Sequence, residues 1–394
     1  MSGNVSPLFA AHEGATLYSS AAEITRRVQP RDPVYLFSPV NLRSRAQRFR
    51  RDFPGAVSYA VKANPEDRVI DTLAAQGIAH FDVASIGEIE AVTAHHPGVA
   101  LHFNNPVKAF EAIASSYRYY GVRSYALDEQ AEFDKIRKAT DRDRDILYSV
   151  RFKLEHEGAS YDFGSKFGAT PGQAVSLLKG IAAAGCRPAL TFHPGSQCTD
   201  PGVYARYLEA AAEIVTSAGV AIAQINVGGG FPEHYVNTSA PDLGEYFSAI
   251  EQAVNRFFPE PPALMCEPGR AMVASSVSLL ARIIHVRDDG RTVFLNDGFY
   301  GGMQEQSLVD LRLPVKVWRE GRVLPGDRVS CRVFGPTCDP VDRLSSEMDL
   351  PAHVSAGDYL EFGLLGAYGS ATSTAFNGFR SAHYLNVASG FCAD

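Results

Sequence analysis

The sequence predicts an α/β fold in two parts, a (β/α)8 TIM-like barrel and a separate all-β domain. Eight apolar, strand-like runs follow one another from Val57, and most of them precede an amphipathic segment of helix length. The predicted strands are 57–61, 79–83, 99–103, 122–126, 146–152, 188–192, 221–227 and 262–266. After Arg270 the pattern changes to period-two alternation with turn signals, which is typical of antiparallel strands.

The predicted barrel covers residues 34–275, and the predicted β domain combines residues 1–33 with 276–394. Two strands, 277–287 and 292–296, flank an Asp-Gly pair at Gly290, which predicts a β-hairpin. Further β-domain strands are predicted at 314–318, 328–333, 357–363 and 382–388. Residues 1–32 either complete this domain or extend from it as an arm.

Composition indicates an ordinary globular protein with no polyanionic partner. Of 394 residues, 45% are hydrophobic and 21% are charged, and the formal net charge is -7. The basic residues are scattered except for an arginine cluster at 43–51, so we expect no nucleic-acid partner. No apolar run approaches the roughly 20 residues that span a bilayer, and the first residues lack a secretory signal pattern. We therefore expect no membrane partner.

The cysteines contain no C-x-x-C pair and no regular framework, so we expect free thiols in a reducing compartment, the cytoplasm. No metal site is predicted. The six residues are Cys186, Cys198, Cys266, Cys331, Cys338 and Cys392.

Barrel proteins place their chemistry at the carboxyl ends of the strands, which form one mouth. The polar residues predicted at this mouth are Lys62, Asp82, Asn104, Asp128, Arg151, His193, Gly228, Gly229, Gly230 and Glu267. A lysine beside an apolar strand either forms a salt bridge at the rim or acts as an amine. His193 is either a structural histidine or a flat ring that stacks on a ligand. Asp82 and Arg151 could each be paired at the rim.

Two neighbouring loops at this mouth suggest a phosphate site. Gly228, Gly229 and Gly230 follow the seventh strand, where unhindered N–H groups can surround an anion or form a tight turn. Arg270 follows the eighth strand, and its guanidinium suits either a phosphate or the carboxylate of Glu267. Loops after strands seven and eight are the usual phosphate site of a barrel.

Together these motifs resemble the fold type III pyridoxal-phosphate decarboxylases, which have an alanine-racemase-like fold, and especially the ornithine/lysine decarboxylases in their short bacterial form. The resemblance runs in the family's order from about residue 33 to 390. The matching stretches are 59–64, 81–85, 166–168, 193–196, 228–232, 267–270, 296–298, 334–339, 366–368 and 376–379.

The resemblance implies a pyridoxal 5'-phosphate site in which Lys62 holds the cofactor covalently. His193 would stack on the pyridine ring, and Glu267 would lie against the ring nitrogen and favour its protonated form. The residues that would bind the phosphate are Gly228, Gly229, Gly230, Ser196, Arg270 and Tyr368. Asp82, Arg151 and Gly269 complete the implied cofactor site.

The resemblance also implies a homodimer with shared active sites. Cys338 and Asp339 would come from the β domain of a second subunit, with Cys338 returning a proton to Cα. Asp339 and Asp310 would bind the distal ammonium of a basic substrate, and Tyr300 is assigned to the same pocket. Lys166 and Asp342 match positions that form an inter-subunit salt bridge in relatives.

The implied activity is decarboxylation of L-ornithine to putrescine and CO2, with L-lysine to cadaverine as a second reaction, in polyamine biosynthesis. Diaminopimelate, another basic amino acid or a carrier-bound amino acid are alternative substrates, and a racemase activity is less favoured. A non-catalytic decarboxylase-like regulator is the alternative from another class. Three features differ from the animal enzymes and bear on the length of the substrate side chain that the pocket prefers. They are Pro194, Gln197 and a longer segment at 155–164.

Overall fold

The computed structural model describes residues 16–154 and 166–392 of the chain. These residues form two compact units. The sheet domain comprises residues 16–44, 235–238 and 273–392, and the barrel domain comprises residues 45–154, 166–234 and 239–272. No helix within the described ranges is long and apolar enough to cross a membrane.

Strands and helices alternate through the barrel, and strands dominate after it. The strands are β1 (Leu17–Tyr18), β2 (Val34–Phe37), β3 (Ala56–Ala60), β4 (His80–Val83), β5 (Ala100–Phe103), β6 (Ser124–Leu127), β7 (Leu147–Arg151), β8 (Arg187–Thr191), β9 (Gln224–Asn226), β10 (Ala263–Cys266), β11 (Val277–Val286), β12 (Thr292–Leu295), β13 (Val315–Arg319), β14 (Arg322–Val323), β15 (Arg328–Phe334), β16 (Met348–Pro351), β17 (Tyr359–Phe362) and β18 (His383–Val387). The helices are α1 (Ala21–Arg27), α2 (Pro39–Asp52), α3 (Asp67–Ala75), α4 (Ile86–His95), α5 (Phe110–Tyr120), α6 (Gln130–Ala139), α7 (Pro171–Ala183), α8 (Gly202–Ala218), α9 (Leu243–Phe257), α10 (Arg270–Val273) and α11 (Gln304–Leu308).

Strands β3 to β10 form a closed parallel barrel, which confirms the predicted fold class. The last strand closes on the first, with Met265 opposite Ala56. Aromatic side chains on these strands are fully buried, including Tyr59, Phe81 and Tyr125, because both faces of a parallel barrel are covered. All eight strands run the same way, so their carboxyl ends share one mouth.

Side-chain caps fix where the barrel helices begin. Ser85 accepts a hydrogen bond from the backbone N–H of Glu88 and caps α4. Reciprocal capping boxes start α7 at Thr170 and α9 at Asp242. These caps satisfy backbone donors that would otherwise be unpaired at the helix starts, and they hold the short loops that follow the strands.

The sheet domain contains a ten-stranded sheet with the path β1-β18-β2-β11-β12-β15-β16, from which β17 pairs with β11 and β13. The predicted hairpin is confirmed, since β11 and β12 pair antiparallel and Gly290 in their turn has φ +65°. Strand β2 lies beside β11, so residues 34–44 group with this domain, although we expected them in the barrel segment. Strand β1 pairs with β18, so part of the N-terminal region completes the sheet.

Asp297, in the loop after β12, is a buried acid of the sheet domain. Its side chain is 3% exposed, and it accepts hydrogen bonds from the Gly302 N–H at 2.9 Å and from the Ser381 hydroxyl. Burial raises the pKa of Asp297 to about 7, although the backbone N–H groups of Gly302 and Gly298 favour the ionised form. The folded chain therefore holds a proton that the unfolded chain releases at lower pH.

We predict that Asp297→Asn reduces the pH dependence of stability. Between about pH 4 and about pH 7 the folded state of the parent binds more protons than the unfolded state, so its free energy of unfolding falls as pH rises. Over this range the free energy of unfolding of the parent should fall by a few kcal/mol more than that of the variant, since each pKa unit corresponds to about 1.36 kcal/mol. Denaturant unfolding across this range measures the difference. The exposed Asp288→Asn serves as control, and parallel curves for parent and Asp297→Asn would refute the prediction.

Candidate active site

Glu267, directly after β10, lies among polar side chains at the barrel mouth. The side-chain amides of Asn104 and Asn226 both donate hydrogen bonds to its Oε1 atom. Burial raises the pKa of Glu267, while these amides and the positive charges of Lys62 and Arg151 oppose the increase. Ends of β5, β9 and β10 thus converge on one carboxylate.

Lys62 lies in a short 3-10 turn, Val61–Ala63, one step beyond the end of β3. Its neighbours Val61 and Ala63 are fully buried, whereas Lys62 itself is exposed. The Tyr59 hydroxyl donates to the Asn64 carbonyl at 2.9 Å and stabilises this turn. The positive charge of Lys62 favours the ionised forms of Asp82 and Glu267. The amine therefore interacts electrostatically with both acids at the mouth.

Asp82 and Arg151 add a second acid and a second cation. Asp82 in β4 is 9% exposed, and burial followed by repulsion from Glu267 raises its pKa well above the usual range. Burial lowers the pKa of the Arg151 guanidinium, which Glu267, Asp128 and Asp82 counteract. The guanidinium carbon of Arg151 also lies 5.6 Å from the ring centre of Phe167. The acids Glu267, Asp82 and Asp128 therefore interact at the mouth with the cations Lys62 and Arg151.

His193 follows β8 and presents a neutral imidazole. Its Nδ1 atom accepts a hydrogen bond from the Gly195 N–H at 3.1 Å, which leaves the ring proton on Nε2. Burial lowers the pKa of His193 well below its usual value, and the charges of Lys62 and Arg151 lower it further. A neutral flat ring held in this way is suited to stacking on another planar ring.

The three glycines after β9 bring neighbouring loops into direct contact. A Cβ atom on Gly229 would lie 2.7 Å from the Glu267 carbonyl oxygen, and one on Gly230 would lie 2.5 Å from the Gly195 carbonyl oxygen. Gly228 and Gly230 also have φ values of +68° and +89°, which favour glycine. Within the described parts of the chain, the N–H groups of Gly229 and Gly230 donate to no protein acceptor. They remain available to an anion.

Arg270 begins α10 in the barrel domain, shortly after β10, which pairs with β9, the strand before these glycines. Its side chain is 6% exposed, and its Nη2 atom donates to the Ser196 hydroxyl at 3.3 Å. Gly269 precedes it at the start of α10. A buried guanidinium, a hydroxyl and open N–H groups together form a set of donors that fits a phosphate.

The remaining predicted site residues lie in the sheet domain. The Tyr300 hydroxyl donates to Asp339 Oδ2 at 2.7 Å, and the Asn377 amide lies 3.3 Å from the sulfur of the exposed Cys338. The Val341 N–H and the Tyr300 hydroxyl lower the pKa of Asp339, so this carboxyl stays ionised. The structure thus brings Tyr300, Cys338 and Asp339 together.

Two further residues of the sheet domain have unusual backbone conformations. Asp310 is exposed and has φ +36°, and its carbonyl oxygen accepts from the Asn237 amide at 2.7 Å. Tyr368, after β17, has φ +56°. Positive φ is uncommon for non-glycine residues and often marks functional loops.

Asp342, which the resemblance pairs with Lys166 across a subunit interface, is buried within its own domain. It is 1% exposed, and its two carboxylate oxygens accept the N–H groups of Phe299 at 2.8 Å and Thr337 at 2.9 Å. Within the chain, Asp342 therefore fixes the loop that precedes Cys338. The longer segment at 155–164 lies outside the described residues.

Sequence reasoning did not single out Asn226 as a site residue. The available signal was a polar side chain that ends the buried strand β9, two residues before Gly228. Asn226 also accepts from the Gly228 N–H at 2.9 Å, so one amide links Glu267 to the glycine loop. Among the described residues, no group of three or more His, Cys, Asp or Glu side chains is arranged to hold a metal ion.

The barrel mouth therefore belongs to the class of sites that hold a phosphate-bearing ring cofactor beside a lysine. It offers an amine, a partly buried carboxylate, a neutral imidazole and phosphate donors, which match the groups of pyridoxal phosphate. A family model described as "Pyridoxal-dependent decarboxylase, pyridoxal binding domain" matches residues 40–274. The chain belongs to this family of pyridoxal-phosphate decarboxylases, which confirms the resemblance and the expected cofactor.

Known relatives act on basic amino acids. The lysine/ornithine decarboxylase of Selenomonas ruminantium is 33% identical over 343 residues, which is 84% of each chain. The crystal structure of lysine/ornithine decarboxylase from Vibrio vulnificus with putrescine has a TM-score of 0.80 at 26% identity, over 93% of this chain and 96% of that one. An arginine decarboxylase of Paramecium bursaria Chlorella virus shares the fold, with a TM-score of 0.82 at 24% identity over 93% and 99% of the chains.

Proposed function

We propose that the protein decarboxylates L-ornithine to putrescine and CO2 with pyridoxal 5'-phosphate, and that L-lysine is a second substrate. The observation that carries the proposal is the ionised Asp339, whose carboxylate is held by Tyr300 beside the exposed Cys338. An acid at the far end of a pocket selects a side chain that ends in a cation. The names of the relatives from Selenomonas and Vibrio support the same substrate class.

In the proposed reaction the barrel residues bind and orient the cofactor. Lys62 would form the covalent link, His193 would pack on the ring, and Arg270, Ser196 and the glycine N–H groups would hold the phosphate. Glu267 would keep a proton on the ring nitrogen, because a carboxylate there favours the protonated pyridine. When bound, pyridoxal phosphate supplies the electron sink for the electron pair left on Cα as CO2 departs.

The sheet domain is proposed to act on the active site of a second subunit. Cys338 would return a proton to Cα there, and Asp339 and Asp310 would bind the distal ammonium of the substrate. Exposed apolar side chains near Cys338 support a homodimer, since Val341, Phe376 and Phe379 are 54%, 41% and 44% exposed. The six free cysteines fit the reducing cytoplasm, where we place the protein.

The alternative functions are compared by the substrate group that each would place in the site. A distal carboxylate, as in diaminopimelate, would be repelled by Asp339 and Asp310. A non-catalytic regulator would have no need for Lys62, Glu267 and the phosphate donors together at one mouth. A carrier-bound amino acid differs from free ornithine in size and not in the chemistry at Cα.

The proposed substrate is tested by CO2 release from the cofactor-loaded protein with L-ornithine, L-lysine, L-arginine and meso-diaminopimelate at matched concentrations. We expect turnover of ornithine and lysine and none of diaminopimelate, because acids at the distal subsite attract a cation and repel a carboxylate. A preference for diaminopimelate would refute the proposed pocket. No CO2 from any of the four, with the cofactor bound, would refute ornithine as substrate and favour a carrier-bound amino acid or a regulator.

The shared active site is tested by mixing two inactive variants. Lys62→Ala should bind cofactor poorly and Cys338→Ala should bind it normally, and each alone should lose nearly all CO2 release. Mixed dimers would contain one site with both residues intact, so exchange of equal amounts should restore about a quarter of the parent activity. A mixture that exchanges subunits and stays inactive would show that each chain completes its own site. Lys62→Ala mixed with Lys62→Arg, which should not recover, is the matched control.

A further inference from the structure

Gln197 joins two loops of the barrel mouth through both ends of its side-chain amide. Its Nε2 atom donates to the Glu233 carbonyl at 2.9 Å, and its Oε1 atom accepts from the Glu233 N–H at 2.8 Å. The residue is 9% exposed and has φ +53°, a conformation that costs a non-glycine residue about 1 kcal/mol or more. A buried residue that keeps this conformation needs compensating contacts, and the two hydrogen bonds provide them.

The two loops, 193–198 and 228–233, are connected at further points. The Cys198 N–H of the first loop donates to the Gly230 carbonyl at 3.0 Å, and Tyr204 in α8, the helix after this loop, donates from its hydroxyl to the Gly229 carbonyl at 2.7 Å. Glu233 is 4% exposed, and its carboxylate pairs with Arg45 of α2 at 2.7 Å. The bonds of Gln197 are therefore made to a backbone segment that is itself anchored.

We propose that Gln197 is a positioning residue that holds these loops in register so that both can bind one phosphate. Ser196, next to Gln197, would supply a hydroxyl from the first loop, and Gly229 and Gly230 would supply N–H groups from the second. The side-chain hydrogen bonds of Gln197 are to the backbone of Glu233, so it acts on the phosphate donors through the loops. The inference rests on the proposed phosphate site, because an arrangement of donors matters only if they share one anion.

The phosphate itself provides the test, because pyridoxal lacks it while keeping the ring and the aldehyde. We expect Gln197→Met to weaken pyridoxal phosphate binding about tenfold, equivalent to about 1.4 kcal/mol for the two lost hydrogen bonds. Binding of pyridoxal should stay within about twofold of the parent, and kcat at saturating cofactor should be retained. Titration of the cofactor absorbance gives both affinities. Gln197→Gly, which adopts the same φ without strain, should show the same selective loss if the Met variant folds poorly.

Gln173→Met is the matched control, since Gln173 accepts the Thr170 N–H at 2.8 Å in the capping box of α7 and should affect neither ligand. Equal weakening of pyridoxal and pyridoxal phosphate by the Gln197 variants would overturn the inference and indicate a general loss of stability. Unchanged affinity for both ligands would also overturn it. If the parent bound both ligands equally, the proposed phosphate site itself would fail, and this inference with it.

Discussion

The carboxylate of Glu267 determines which polar and charged side chains must surround it at the barrel mouth. An ionised carboxylate held away from water is costly unless hydrogen bonds and opposite charges surround it. Here Asn104 and Asn226 supply two amide donors, and Lys62 and Arg151 supply positive charge. These residues come from four different strand ends, so only a closed barrel in the correct register can bring them together. The chemistry of the site therefore depends on the register of β3, β5, β7 and β9 around β10.

A second constraint is the space between the loops. Residues 193–198, 228–233 and 267–269 approach so closely that Gly229 and Gly230 have no room for a side chain. The N–H groups of Gly229 and Gly230 have no acceptor within the described parts of the chain, so they and Arg270 can serve as donors to a phosphate. In the sheet domain, Asp342 has a comparable structural role, since its buried carboxylate holds the backbone at Phe299 and Thr337 near Cys338.

Much of the architecture could be predicted from sequence because its signals are local. Strand-length apolar runs and Asp-Gly at Gly290 predicted the eight barrel strands and the first hairpin. Lys62, His193 and Glu267 could be placed at one mouth because each follows a strand of a parallel barrel. Strand β16 was not predicted, since its four residues, Met348–Pro351, end in a proline and show little alternation.

The contacts that organise the site could not be predicted from local patterns. Asn226 and Glu267 are separated by 41 residues, and Gln197 and Glu233 by 36. Asp342 resembles any loop acid until the fold buries it against Phe299. Such side chains are polar residues in loops, and only the assembled barrel or sheet shows which backbone groups they reach.

The account depends most on the charge of Glu267, and Glu267→Gln tests it directly. Glutamine keeps the oxygen that accepts from Asn104 and Asn226, so the loops and the affinity for pyridoxal phosphate should change only a few-fold, whereas the charge is lost. CO2 release from the cofactor-loaded variant with L-ornithine, measured beside the parent, should fall about a hundredfold or more. If the variant binds the cofactor and releases CO2 at a rate close to that of the parent, the carboxylate of Glu267 does not have the role proposed for it.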